Sequence, residues 1–174
     1  MLRWLFLALW LGLLTDLFVF SPPPIDDQGT WVLEALTGQW SDKNPLTVAV
    51  FNLLGVWPLF FAARLKSELR GRPVPAWPFV LGSMALGAFA LLPYFILIPR
   101  RPEPRDPWAW LKWIDHPITL GLLGVGAAVL AGWGLMYGDY AGFWLAVQSE
   151  QLVQVMSLDF AVLIVTMALT GARQ

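Results

Sequence analysis

Five apolar runs of close to 20 residues constrain this chain more than any other feature of its sequence. They cover residues 2–20, 46–63, 76–98, 118–137 and about 151–170. A run of this length is enough to cross the hydrocarbon core of a bilayer as an α-helix. Only 13% of the 174 residues are charged, which is about half the share found in a soluble domain. The sequence therefore predicts an all-α integral membrane protein, a single compact bundle of about five transmembrane helices with short interfacial helices.

Charge and residue usage exclude several classes of function. A net charge of −1 argues against a nucleic-acid partner, which needs a basic face. The absence of cysteine excludes disulfides, Fe–S clusters, thiolate zinc sites and a cysteine nucleophile, and a single histidine excludes bis-histidine haem. The sequence has no phosphate-binding glycine loop, no Ser/His/Asp set, no metalloprotease motif and no internal repeat. We therefore predict no metal site.

The segments outside the long runs differ in character. The first run is too long for a signal peptide and is followed by three prolines instead of a small-residue cleavage site, so an uncleaved anchor is expected. Residues 21–45 are acidic and turn-rich, with an apolar piece at about 31–40 that is expected to lie flat on the membrane. Residues 108–113 combine Trp and Lys as a short interfacial helix does.

The distribution of Lys and Arg does not set an orientation for five crossings. Basic residues in short loops favour the cytoplasmic side. An N-terminus in the cytoplasm places five of them inside and six outside. The tie arises because the second and third connectors, residues 64–73 and 100–115, are both basic. Either orientation is compatible with the sequence, or segment 76–98 does not fully cross.

Ionisable residues inside a span are costly and are the first candidates for function. Asp16 lies toward the end of the first run and Asp159 near the middle of the last. Apolar side chains of the last run contribute roughly −3 to −6 kcal/mol to insertion, against about +3 kcal/mol for the aspartate. Because this segment is marginal alone, its polar side chains are expected to face other helices. The candidate intramembrane polar site comprises Asp16, Asn52, Gln154, Ser157 and Asp159.

Helical periodicity divides the polar residues near the last run between two faces. One face carries Glu150, Gln154 and Ser157, and the other carries Gln148, Asp159 and Thr166. No Lys, Arg or His lies at a matching depth, so Asp159 is expected to be protonated or to hydrogen bond to backbone, Ser or Asn groups. Its role is then either a polar clasp between helices or a proton relay or ligand contact.

Prolines and small residues mark the other runs. Pro58 and Pro93 each free one backbone carbonyl, and simple kinks are expected at both. Gly124, Ala128 and Gly132 repeat every four residues, which lets a neighbouring helix approach closely. A seam inside the bundle is favoured for this stripe over a dimer contact or a dock for a flat cofactor.

Three further features concern the interface and a deep indole. Most tryptophans lie near span ends, where they anchor helices, whereas Trp57 lies deeper and is the better candidate to touch a ligand or a neighbouring helix. His116 is a candidate ligand of a pigment's magnesium or a proton shuttle, although a lone interfacial histidine is more often neither. A basic cluster is expected to contact anionic lipid headgroups, or else an acidic loop of a partner, and comprises Arg64, Lys66, Arg70 and Arg72.

Three stretches carry a resemblance to a known family. They are residues 44–59, with NPL and FNLLGVWPL, residues 74–95, with VPAWPF and GAFALLPYF, and residues 156–160, MSLDF. They resemble a poorly characterised family of small multi-pass membrane proteins of cyanobacteria and plastids. The similarity covers roughly residues 44–170, with a distinct first span.

This resemblance implies a photosynthetic lineage and a thylakoid or plasma membrane, but no reaction. It draws attention to the polar and proline residues inside the matching stretches, which are Asn52, Pro58, Pro93, Ser157 and Asp159. Together with the residues, it predicts an accessory, assembly or structural component of a photosynthetic-type membrane, in contact with the lipid bilayer and other membrane-protein subunits. The alternative is a small membrane enzyme or carrier acting on an isoprenoid, pigment or quinone through intramembrane acids. Chlorophyll or a carotenoid is compatible with the sequence as a cofactor.

Overall fold

The computed structural model describes residues 2–24, 27–65, 74–98, 113–114 and 116–171. All regular structure in these ranges is helical, which confirms the all-α class. The helices are, in chain order, α1 (Leu2–Thr15), which continues as the π-helical segment Asp16–Phe20, α2 (Gln28–Leu36), α3 (Pro45–Arg64), α4 (Trp77–Leu97), α5 (Pro117–Tyr137), α6 (Tyr140–Ser149) and α7 (Gln151–Gly171).

Five of these helices are long and apolar enough to cross a membrane. They are α1 with its π-helical segment, α3, α4, α5 and α7, and they coincide with the five predicted runs to within a few residues. The chain is therefore a multi-pass integral membrane protein. The short α2 confirms a helix within the apolar piece predicted at 31–40.

Side-chain caps begin three of the helices. Asn44, His116 and Asp139 each accept a hydrogen bond from the backbone N–H two residues further on, at the starts of α3, α5 and α6. Such a bond satisfies one of the donors that a helix N-terminus leaves free. Asn44 also donates to the carbonyl of Asp139, at 2.7 Å. The starts of α3 and α6 are thereby held side by side.

Helix α4 folds back on itself at Gly87. This residue has φ 51° and ψ −130°, outside the helical region, between two helical halves that we name α4a (77–86) and α4b (88–97). The rings of Phe79 and Tyr94 lie 5.6 Å apart, although residues fifteen positions apart in a straight helix are separated by about 22 Å. The two halves therefore run antiparallel and in contact.

A second close approach near the bend supports the same geometry. A Cβ placed on Gly82 would lie 3.1 Å from the Cβ of Ala90, whereas eight residues of straight helix span about 12 Å. Each half has ten residues and is about 15 Å long. That length reaches about halfway through a hydrocarbon core of about 30 Å. We call α4 the re-entrant hairpin and residues 86–88 the hairpin tip.

Contacts with α3 give the directions of two of the crossing helices. A Cβ on Gly134 would lie 2.5 Å from the Cβ of Ala49, which places the end of α5 beside the start of α3. The rings of Trp57 and Phe160 are 6.2 Å apart, about midway along α3 and α7. Near the ends of the same two helices, the Arg64 guanidinium donates to the Thr170 carbonyl. Thus α5 is antiparallel to α3, and α7 is parallel to it.

The re-entrant hairpin packs between α1, α3 and α7. Phe95 of α4b lies 5.3 Å from Phe6 of α1 and 6.2 Å from Phe61 of α3, measured between ring centroids. Phe6, Phe61 and the neighbouring Leu91 and Leu92 are completely buried. The densest part of the core therefore surrounds α4b, toward the end of the molecule where α1 begins and α3 ends.

The reversal of direction in α4 lies at Gly87, six residues before Pro93. A helix boundary also differs from the sequence expectation. The chain is extended at Glu150, so Gln148 belongs to α6 and not to the helix that carries Asp159. Placing Gln148 on a face of the last span was therefore wrong, because the periodicity was extended across a helix boundary.

The small-residue stripe of α5 also differs from its predicted role. Gly124 and Ala128 are exposed, and a Cβ on Gly124 or Gly132 would have no neighbour within 4 Å. The side of α5 that packs against α3 instead carries Gly134, beside Ala49. The prediction of an internal seam for the stripe was therefore wrong: the stripe faces outward.

The re-entrant hairpin removes the tie in the distribution of basic residues. Of the described helices, α1, α3, α5 and α7 are placed to cross, and the hairpin begins and ends on the side where α1 begins and α7 ends. We call this side the basic side and the opposite one the acidic side. By position in the sequence, ten of the eleven Lys and Arg residues fall in the termini and connectors that join helix ends on the basic side, and Lys43 falls on the acidic side. The ten are Arg3, Arg64, Lys66, Arg70, Arg72, Arg100, Arg101, Arg105, Lys112 and Arg173. The positive-inside rule then predicts a cytoplasmic basic side.

Single-cysteine labelling tests this topology, because the natural chain contains no cysteine. We expect Pro75→Cys and Trp113→Cys, which flank the hairpin, to react with a membrane-impermeant maleimide from the cytoplasmic side. Ser41→Cys is expected to react only from the opposite side. Labelling of Pro75→Cys and Trp113→Cys from opposite sides would contradict the re-entrant hairpin.

Candidate functional site

The hairpin tip lies against Asp159 of α7. The backbone N–H of Ala88 donates to Asp159 Oδ1 at 2.7 Å. This N–H group belongs to the first turn of α4b, where an α-helix has no internal acceptors and carries a partial positive charge. Asp159 is 4% exposed. Its carboxylate therefore caps α4b in the interior of the bundle, which agrees with the predicted hydrogen bonding of this residue to backbone groups.

Gly87 is required at the hairpin tip for two reasons. Its φ of 51° lies in a region that side chains with a Cβ disfavour. A Cβ at this position would also lie 1.6 Å from Asp159 Oδ2. The carboxylate can thus cap α4b only because residue 87 has no side chain.

A hydrogen bond from Trp10 links the start of α4b to α1. Its indole Nε1–H donates to the carbonyl of Phe89 at 3.0 Å. Ala88 thus donates to α7, and Phe89 accepts from α1. The start of α4b is held by polar contacts to two of its three neighbouring helices.

A cavity of about 610 Å³ adjoins the hairpin tip. We call it the tip chamber. Its walls come from the end of α1, from α2, from α3, from residues 83–87 and 89 of the hairpin, and from α7. Most of the lining side chains are apolar, and the polar side chains among them are Asn52, Ser83 and Asp159. The chamber thus combines an apolar volume with a small set of hydrogen-bonding groups.

The five residues of the predicted polar site separate into distinct groups. Asn52 and Asp159 both line the tip chamber. Gln154 instead donates to Asp16 Oδ1 at 2.9 Å, joining α7 to the end of the first span, outside the lining of the chamber. Ser157 donates to the carbonyl of Val153 in its own helix. The two intramembrane acids therefore do not form one constellation.

The other predicted residues lie away from the tip chamber. His116 is exposed and caps α5 through Nδ1; its pigment or proton role stays a prediction. Arg64 contacts the end of α7, as described above, whereas the predicted headgroup residues Lys66, Arg70 and Arg72 lie outside the described residues. Trp57 lines a separate apolar cavity of about 350 Å³.

A third cavity, of about 710 Å³, opens on the acidic side between α2, α6 and the segment before α3. Carboxylates of several residues line it, and Lys43 there forms a 2.6 Å ion pair with Glu34 of α2. Within the described ranges, no three His, Cys, Asp or Glu side chains are grouped to hold a metal ion. This cavity is a polar surface cleft, distinct from the tip chamber in its chemistry.

Sequence reasoning did not identify Gly87, Ser83 or Trp10 as parts of the site. The tie in Lys and Arg counts was the signal for Gly87, because a re-entrant segment explains two consecutive basic connectors. Glycine is the residue that permits the required bend, and Gly82 and Gly87 are the two glycines within segment 76–98. No comparable sequence signal distinguishes Trp10 from the other tryptophans.

Searches against known protein families, curated proteins and solved structures find no match. The fold and the site define a multi-pass membrane protein with a re-entrant hairpin whose tip is capped by an intramembrane carboxylate. The functional interpretation therefore depends on this geometry.

Substitution of the tip glycine tests the hairpin directly. We expect Gly87→Ala to lower the stability of the purified protein by at least about 2 kcal/mol, since backbone strain alone costs roughly 1–3 kcal/mol and the methyl group would overlap the Asp159 carboxylate. Thermal unfolding in detergent measures the loss. Gly12→Ala is the matched control, because a Cβ there meets no atom within 4 Å. Equal stability of the two variants would contradict the tip geometry.

Two substitutions of Asp159 separate capping from charge. Asp159→Asn keeps an oxygen that accepts from Ala88 N–H, so we expect a small loss of stability, below about 1 kcal/mol. Asp159→Leu removes the acceptor and leaves the Ala88 N–H unpaired inside the bundle, so a loss of about 2 kcal/mol or more is expected. Thermal unfolding of both variants in the same detergent gives the comparison. A Leu variant as stable as the Asn variant would exclude the capping role.

Proposed function

We propose that this protein binds a lipid-soluble, isoprenoid-like amphiphile in the tip chamber, as a carrier or as the binding component of a membrane reaction. The observation that carries the proposal is the chamber itself. Its volume of about 610 Å³ falls within the range of about 300–1,000 Å³ that is typical of small-molecule sites. Apolar walls with a few convergent polar groups are also typical of such sites.

The position of the chamber favours a ligand that partitions into the bilayer. The hairpin tip lies about halfway through the hydrocarbon core, by the length of α4a and α4b. The chamber extends from the tip toward the acidic side, where Val32 and Leu36 of α2 contribute to its wall. A molecule in this place is surrounded by membrane-embedded helices and by the apolar face of α2.

The environment of Asp159 favours binding over acid–base chemistry. Asp159 lines the chamber, but it is 4% exposed and its Oδ1 accepts the Ala88 N–H. A general acid or base has to come within hydrogen-bond reach of the substrate proton. A side chain held against the hairpin backbone instead positions the chamber wall, and Asp16 is engaged elsewhere by Gln154.

Filling the chamber tests this function. Gly55 lines the chamber, and a Cβ on it meets no atom within 4 Å, so Gly55→Phe places a ring in the cavity without a clash at Cβ. The probe is tritiated geranylgeraniol added to protein in lipid nanodiscs. We expect saturable binding to the natural protein and a loss of at least about tenfold in affinity for Gly55→Phe.

The matched control for this experiment is Gly12→Phe, which adds the same ring to an exposed glycine of α1 away from the chamber. It is expected to bind the probe as the natural protein does. No saturable binding to the natural protein, or equal losses in the two variants, would refute the proposed function.

A second candidate is the accessory or assembly role in a photosynthetic-type membrane. The outward stripe of Gly124, Ala128 and Gly132 favours it, because small residues allow a helix of another subunit to pack closely. The choice of a thylakoid or plasma membrane derives from the resemblance of the sequence stretches alone. This role would take precedence if a co-migrating partner in mild detergent were lost in Gly124→Phe while no ligand bound to the chamber.

A further inference from the structure

We infer that the ligand of the tip chamber carries a neutral hydrogen-bond donor, such as a hydroxyl group, as its polar head. This inference deepens the proposed function and rests on it. It follows from the directions of the hydrogen bonds around the chamber, from the ends of the two half-helices and from the charge of the lining residues.

The polar side chains that line the chamber offer more acceptors than donors to a ligand. Asn52 Nδ2 donates one of its two N–H groups to the carbonyl of Val48 at 2.9 Å, which leaves Oδ1 as an acceptor and the second N–H as a donor. Ser83 Oγ donates to the carbonyl of Val80 at 2.7 Å, which leaves the oxygen lone pairs. A hydroxyl group, which donates one hydrogen bond and can also accept one, matches this set.

The two half-helices present opposite ends at the hairpin tip. The last carbonyls of an α-helix lack internal partners and carry a partial negative charge. Residues 83–86, the last four of α4a, all line the chamber. At the start of α4b, the N–H of Ala88 is taken by Asp159. The chamber therefore adjoins the carbonyl end of α4a, and the Ala88 N–H is not available to a ligand.

The charge distribution selects a neutral head. Asp159 is the one ionisable residue among those that line the chamber, and its carboxylate lies against the positive end of α4b. An anionic head would meet the carbonyl end of α4a, whose partial negative charge repels it, and would carry its charge into the membrane. A cationic head would find no carboxylate free of other partners, because Asp159 is already capping. A hydroxyl donates to Asn52 Oδ1 or Ser83 Oγ without carrying a charge into the membrane.

Three probes with the same tail test the inference on the natural protein in nanodiscs: geranylgeraniol, its methyl ether and geranylgeranic acid at neutral pH. Affinities are compared as mole fractions in the bilayer, so that differences in partitioning cancel. We expect the alcohol to bind about tenfold more tightly than the ether, which lacks the donor, and than the ionised acid.

Asn52→Leu is the companion variant, because leucine has a similar size and no acceptor. It is expected to weaken alcohol binding about fivefold and to leave ether binding unchanged, which isolates the hydrogen bond as a double-mutant cycle does. The comparison of the three probes on the natural protein stands even if this variant does not fold.

The outcomes separate the two levels of the argument. Equal binding of alcohol and ether, or tightest binding of the acid, would overturn the donor head group and leave the proposed function in place. Failure of all three probes to show saturable binding would overturn the proposed function itself. Loss of alcohol and ether binding to the same degree in Asn52→Leu would assign Asn52 to the shape of the chamber and contradict its hydrogen bond to the ligand.

Discussion

The hydrogen bond from the Ala88 N–H to Asp159 is the interaction on which the rest of this structure depends. A helix that ends inside a bilayer leaves backbone N–H and carbonyl groups without water, and each such group costs several kcal/mol unless the protein supplies a partner. The re-entrant hairpin has two helix ends of this kind at its tip. A carboxylate from α7 satisfies one of them, and without it α4b could not begin at mid-membrane depth.

The same contact explains how an aspartate is tolerated in the last span. An isolated aspartate at the centre of a membrane helix is unfavourable by about 2.5–3.5 kcal/mol for insertion. In this bundle its Oδ1 accepts the Ala88 N–H at the positive end of a helix. Each of the two groups is unfavourable in the membrane by itself. Together they fix the position of the hairpin against α7.

The sequence predicted the helices well and their arrangement only in part. Apolar length is a local property, and the five embedded segments follow from it. The bend at Gly87 does not follow from local sequence, because a largely apolar segment of 21 residues is also long enough for a straight span. Contacts between residues distant in the helix, such as Phe79 and Tyr94, are what distinguish a hairpin from a straight helix. The nearly equal counts of Lys and Arg on the two sides of a five-crossing arrangement indicated the hairpin indirectly.

The candidate site was predictable to the extent that it depends on the cost of burying polar groups. That cost identified Asp159 and Asn52, which both line the chamber. It also grouped Asp16 and Gln154 with them, and these two instead form their own pair nearer the acidic side. Ser83 and Gly87 were missed because a serine or a glycine has a small free-energy cost at any position of a membrane helix. Their importance arises only where the chain turns back.

The tip chamber is a direct consequence of the hairpin and not of any local motif. A straight α4 would fill the space between α1, α3 and α7 through the full thickness of the bilayer. The hairpin instead places two half-helices in the half of the membrane on the basic side, where the core around Phe6, Phe61 and Phe95 is tightly packed. In the other half none of the described helices occupies that position, and the cavity there is the tip chamber, closed in part by α2. For the proposed ligand, this topology implies a place in the half of the bilayer on the acidic side, with its polar head at the hairpin tip.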